Sequence, residues 1–194
     1  IMGGQCGGGG TTDCLYHWVK PGANTKLYVD LTEKPIWMMV HLAKMDGRER
    51  DPEYIREMYS QVFRNGGQSL WLMGTEWFER ELGDATFAEP AKWRAMLALS
   101  KTISAMRLPR LPEADCAILF SSNSTYTTQW GGFGYQNDQI LNAYTVVGPC
   151  LRSWPKFITD RQIVRGDRNL SDYKVLYVPY STYQSSALLD RIKS

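Results

Sequence analysis

The sequence predicts an α/β protein built on two parallel sheets, and three observations lead there. Two short apolar runs, Ile36-Trp37-Met38-Met39-Val40 and Ser69-Leu70-Trp71-Leu72-Met73, bracket one amphipathic helix. Strands that are apolar throughout are covered on both faces, as in parallel sheets, which carry ligands beyond the carboxyl ends of their strands. A proline-rich break, Arg107-Leu108-Pro109-Arg110-Leu111-Pro112, separates this unit from a second alternation of strands and helices. With 194 residues, 43% of them hydrophobic, the chain can fill one large core or two small ones. The region just after Val40 and just after Met73 is therefore where function is expected.

Taken in order, residues 1–12 read as a flexible loop, because Gly3-Gly4 and Gly7 to Gly10 punctuate them. Residues 13–33 are ambiguous: Leu15, Tyr16, Trp18, Leu27, Tyr28, Val29 and Leu31 supply buried contacts around a predicted Pro21-Gly22 turn. Lys34-Pro35 leads into the first apolar strand. The helix over 51–65 is the best-determined element. Asp51 suits the N-cap, Pro52 the first helical position and Gly66 a left-handed C-cap. Ile55, Met58, Tyr59, Val62 and Phe63 recur at the spacing of one helical face, while Glu53, Arg56, Glu57 and Arg64 fall off it. A second helix is predicted over 90–106, with Met96, Leu99, Ile103 and Met106 on one face.

Beyond the proline break, Cys116-Ala117-Ile118-Leu119-Phe120 reads as a buried strand and 121–135 as a polar, aromatic loop. Residues 136–151 start as a helix (Ile140, Leu141, Tyr144, Val147) that Gly148-Pro149 should interrupt. Phe157-Ile158 is a short strand, residues 174–178 a longer one, and a last helix begins near Ser185. The alternation implies right-handed crossovers on a parallel sheet.

Composition narrows the function classes. The 22 basic and 20 acidic residues leave a net charge of +2 with no basic block, so a nucleic-acid partner is not expected. No apolar run approaches the roughly 20 residues that span a bilayer, and no signal peptide opens the chain, so no membrane partner is expected. Cys6, Cys14, Cys116 and Cys150 form no C-x-x-C pair; Cys6 and Cys14 with His17 read either as a partial metal cluster or as unpaired thiols. The expectation is no metal and no cofactor, and the compartment, cytoplasmic or secreted, stays open. The chain opens at Ile1 and stops at Ser194 within a helical pattern, which reads as part of something longer.

Two stretches carry a family resemblance. Lys34-Pro35-Ile36-Trp37-Met38-Met39 resembles the seventh barrel strand of glycoside hydrolase family 42 β-galactosidases and related clan A enzymes, of the form K-P-F-W-x-M-E. Gly66-Gly67-Gln68-Ser69-Leu70-Trp71 resembles the approach to their eighth strand. Leu170-Ser171-Asp172-Tyr173-Lys174-Val175-Leu176-Tyr177-Val178-Pro179 is similar to the opening phrase of their trimerisation domain. The resemblance covers about residues 30–194. It implies that 1–108 is the C-terminal part of a (β/α)8 TIM barrel. It also implies that 115–194 is the N-terminal part of a flavodoxin-like, glutamine-amidotransferase-like domain. The implied function is hydrolysis of glycosidic bonds by a β-galactosidase-like enzyme. Its partners would be a carbohydrate substrate and either further copies of the chain or the remainder of the same protein. Where the family's pattern has its nucleophilic Glu, this sequence has Val40. The different-class alternative is therefore a non-catalytic carbohydrate-binding or oligomerisation module on the same scaffold.

Retaining glycosidases work with two carboxyls about 5 Å apart across the scissile bond, so a replacement for position 40 is needed. Glu76, in Gly74-Thr75-Glu76-Trp77-Phe78-Glu79-Arg80-Glu81, follows the second apolar strand. It is the candidate acid, base or nucleophile, unless it belongs to a solvated run paired with Arg80. His41 either acts near neutral pH as a base or sugar ligand, or caps its strand. Trp77, past the strand end, either stacks on a sugar face or packs into the core, and Glu79 is a lesser substrate ligand. Trp37 and Trp71, within the strands, are expected in the core. Trp130, with Tyr126, Phe133 and Tyr135, makes the 122–137 loop aromatic enough either to reach substrate or to pack as a surface loop. Amidotransferase chemistry itself finds no G-x-C-x-G elbow.

Overall fold

The computed structural model describes residues 2–6, 15–41, 52–73, 90–108, 110–127, 133–179 and 181–193. They form two compact units, one of residues 1–29 and 33–111 and the other of 30–32 and 112–194.

The first unit is a parallel sheet of β1 (Met2–Cys6), β2 (Ile36–His41) and β3 (Ser69–Met73), laid down in the order β1-β2-β3. Helix α1 (Leu15–Thr32) connects the first pair, α2 (Pro52–Arg64) the second, and α3 (Pro90–Ala105) follows β3. β1 replaces part of the flexible loop that the glycines of 1–12 predict. Its glycine-rich backbone pairs with β2 from Met2↔Ile36 to Cys6↔Val40, so ladder hydrogen bonds to an apolar neighbour override a poor strand propensity.

The second correction is α1, which runs through Pro21-Gly22 instead of turning there. Proline leaves a helix without one donor and normally breaks it. Here the Pro21 carbonyl accepts the Thr25 hydroxyl at 2.7 Å, and the Gly22 N–H donates to Gln61 Oε1 on α2 at 3.0 Å. A Cβ on Gly22 would meet Asn65 Nδ2 at 2.8 Å, so the glycine lets α1 lie close against the end of α2.

Helix α2 buries the face its spacing predicts. Ile55, Met58 and Tyr59 pack with Met96 of α3, flanked by Phe63, Leu70, Leu99 and Ile103, whereas Met106 just past α3 is exposed. Val62 packs against Ile36 and Met38 of β2, together with Tyr28 and Val29 of α1. The helix ends in a Schellman motif: Gly66 sits at φ 90°, its N–H reaches the Phe63 carbonyl, and the Gly67 N–H reaches the Val62 carbonyl. The chain is thereby returned directly into β3.

The second unit holds β4 (Cys116–Phe120), β5 (Pro155–Thr159) and β6 (Val175–Tyr177), all parallel in the order β5-β4-β6. Ser122–Thr127 forms α4 and Phe133–Thr145 forms α5, so most of the expected 121–135 loop is helical at its two ends. Nor does Gly148-Pro149 stop α5. The chain widens into a π turn over Val146–Cys150, where the Leu151 N–H reaches back five residues to the Val146 carbonyl. Helix α6 (Asp160–Arg165), beyond the predicted elements, opens on a Thr159–Gln162 capping box and ends at a left-handed Gly166 C-cap. Helix α7 (Ser186–Lys193) follows β6.

Both faces of this sheet are covered. Ala117, Leu119 and Ile158 pack with Ile163 of α6 and Leu188 of α7, while Leu170, Tyr173 and Leu176 close the cluster. On the other face Phe157 stacks on Tyr144 of α5, ring centroids 6.1 Å apart. Burial raises the Tyr173 phenol above 10.0, partly offset by Arg168.

Candidate active site

The three strands of the first sheet end at one edge. Cys6 is paired with Val40, Val40 with Leu72, and His41 with Met73, so the backbone of His41 closes β2 level with the last residue of β3. In a sheet with helices on one face this is the edge at which catalytic groups are carried. Glu76, Trp77 and Glu79 follow Met73 in sequence but lie outside the described residues, as do Trp130 and Cys14.

Strand alternation separates the two faces of β2. Ile36 and Met38 are fully buried against the helices, and their neighbour Trp37 is 44% exposed. The even positions of β2 thus belong to the helix-covered face and the odd ones to the opposite face. The resemblance assigns the nucleophile's place to position 40, which pairs with Cys6 on one side and Leu72 on the other. Trp37 itself is a correction: expected in the core, it stands on an open face of this unit.

The carboxyl edge of the second sheet holds a polar knot that sequence inspection missed. Ser121 and Ser124 are both buried, and the Ser124 N–H donates to Ser121 Oγ at 3.1 Å. The Ser124 hydroxyl bonds both the carbonyl and the N–H of Tyr183, each at 3.2 Å. Gln184 Nε2 donates to Ser121 Oγ at 2.8 Å. Buried Asp160 accepts from the N–H groups of Asn123 at 3.2 Å and Arg161 at 2.8 Å. These bonds tie the start of α4 to the segment before α7 and to α6. They fix the turns at the strand ends, an arrangement no local sequence pattern announces because its members lie about sixty residues apart.

Among the described residues no group of three or more His, Cys, Asp or Glu side chains is placed to hold a metal ion. Cys116 is buried, with Sγ 2.9 Å from Ser153 Oγ, and Cys150 is exposed. No helix among the described residues is long and apolar enough to cross a membrane.

No protein-family model matches the sequence, and no curated protein matches it. Solved structures do. A β-galactosidase from the Antarctic haloarchaeon Halorubrum lacusprofundi superposes with a TM-score of 0.66 over 91% of this chain and 28% of its own, at 12% identity. The β-galactosidase of the psychrophilic Marinomonas ef1 gives 0.58 over 92% of this chain and 31% of its own, at 14% identity. A GH5_18 protein from Streptomyces cattleya, in complex with GlcNAc, gives 0.56 over 87% and 44%, at 12% identity. The chain therefore has the α/β fold of part of the TIM-barrel glycoside hydrolases, and it spans about a third of the length of the β-galactosidases it matches. Those coverages take in residues of both units.

Proposed function

We propose that this chain is part of a glycoside hydrolase of the β-galactosidase kind, with its first unit supplying successive strands of the barrel. The observation that carries this reading is the sheet itself: three parallel strands in sequence order, alternating with helices, all ending at one edge. The fold likeness to β-galactosidases supports it. On this reading the barrel mouth lies beyond His41 and Met73. Glu76 supplies a carboxyl for proton transfer or attack, and His41, at the end of β2, is a sugar ligand or a base. Trp77 stacks on the sugar, Glu79 hydrogen-bonds its hydroxyls, and Trp130 is the sugar-stacking candidate of the second unit. The transition state has oxocarbenium character, which a carboxylate pair stabilises. The second unit, with strand order β5-β4-β6, is the start of an amidotransferase-like domain of trimerisation type that assembles copies of the protein.

One observation favours the second reading, a carbohydrate-binding or assembly module without turnover: residues 40 and 41 are Val and His, with no carboxylate at either. Turnover of an aryl β-galactoside separates the two. The enzyme reading predicts measurable hydrolysis that falls by at least about a hundredfold in Glu76→Gln, with the thermal midpoint unchanged. Unchanged turnover in Glu76→Gln would remove Glu76 from the chemistry. Sugar binding with no turnover by the unaltered protein would establish the module.

A further inference from the structure

At the opposite end of β3 from the proposed mouth, α2, α3 and the start of the strand enclose a groove of about 370 Å³. Tyr59, Gln68, Ser69, Ser100 and Ser104 bring polar groups to it, and Phe63 gives it an aromatic wall. Ser69 opens β3 and Met73 ends it, so about 13 Å of strand separates the groove from the carboxyl edge. We propose that this groove is a second binding site, for a neutral polyhydroxylated ligand such as a monosaccharide.

The lining selects that chemistry. Its polar groups are hydroxyls and one carboxamide, able both to donate and to accept, and among the described residues none that lines it is charged. An anionic sugar, whether phosphorylated or acidic, would lose hydration there without gaining a counter-charge. Phe63, Leu70 and Ile103 supply apolar surface for the C–H face of a pyranose ring, while the hydroxyls serve its rim. Tyr59 is the built part of the site. Only 3% exposed, it is hydrogen-bonded to Ser100, and burial raises its phenol pKa. The volume falls within the roughly 300–1,000 Å³ usual for small-molecule sites. The proposal does not depend on the catalytic reading, because none of its residues approaches the carboxyl edge.

Ser104 is exposed on α3, so Ser104→Trp fills the groove without disturbing a core contact. In calorimetric titration the chain should bind galactose saturably in the millimolar range and galacturonate not at all. Galactose should protect peptides covering 59–70 and 100–108 from hydrogen–deuterium exchange in the parent, need at least about tenfold more galactose to do so in Ser104→Trp, and only a fewfold more in Ser104→Ala, with unchanged circular dichroism. Any turnover of an aryl galactoside should be the same in Ser104→Trp as in the parent. Equal protection of those two peptides in parent and Ser104→Trp would overturn the proposal, as would protection of them by galacturonate as strong as by galactose, or no protection of them by galactose.

Discussion

The two sheets of this protein use the same βα building block and lay it down differently. In the first, each new strand is added on the same side, β1-β2-β3, and the helices share one face. Ile36 and Met38 are fully buried there while Trp37 on the reverse face is 44% exposed. In the second, the chain adds β5 on one side of β4, then crosses to add β6 on the other. Helices consequently fall on both faces, and Ile118 and Leu119, pointing opposite ways, are buried alike. Sequential addition curls a sheet toward a barrel with its ligand edge at the strand ends. Reversal makes an open, doubly covered sheet. Strand order, more than residue composition, separates the two.

The largest effects that test this contrast come from the two cores. Phe157 is fully buried and stacked on Tyr144, so Phe157→Ala should cost about 3–5 kcal/mol, read as faster amide exchange in β4 and β5. Met38→Ala should cost about 2–5 kcal/mol, with the loss in β2 and β3. The odd positions of β2 should behave otherwise: Trp37→Ala, on the uncovered face, should cost markedly less than Met38→Ala in the same chain. Equal costs would show that both faces of the first sheet are covered, and the contrast would fail.

A smaller effect sits at the cap of α6. Thr159→Ala removes the side-chain acceptor of the Gln162 N–H, held at 3.0 Å, and should cost about 1 kcal/mol in chemical denaturation. The smallest is a pH dependence common to both units. Burial raises the phenols of Tyr59 and Tyr173 above 10.0. A raised folded value means that their stabilising contribution is complete below pH 10.0 and is lost as pH rises through the folded values. Stability should therefore fall in alkali, and Tyr59→Phe should flatten part of that fall. An unchanged alkaline profile in Tyr59→Phe would exclude Tyr59 as a source.

Strong local patterns were legible in the sequence. The period of Ile55, Met58, Tyr59, Val62 and Phe63 placed α2, and Gly66 marked its end, because helix spacing and a left-handed cap are both local properties. The apolar runs gave β2, β3 and β4 for the same reason. What escaped notice depends on distant partners. β1 is a strand through its pairing with Ile36–Val40, thirty-four residues on. Likewise α1 tolerates Pro21-Gly22 because Gln61 supplies an acceptor from another helix. The knot of Ser121, Ser124 and Gln184 joins residues no window spans. Of the candidate site residues, only the backbone of His41 falls in the described structure, where it pairs with Met73 at the end of β2.

The central claim is that sugar is engaged at the carboxyl edge of the first sheet, and hydrogen–deuterium exchange with and without a β-galactoside tests it most directly. Using Ser104→Trp removes the contribution of the groove at the other end of β3. The account predicts ligand-dependent protection in peptides covering 41–51 and 74–89. Saturable sugar binding that leaves exchange in both peptides unchanged would contradict it.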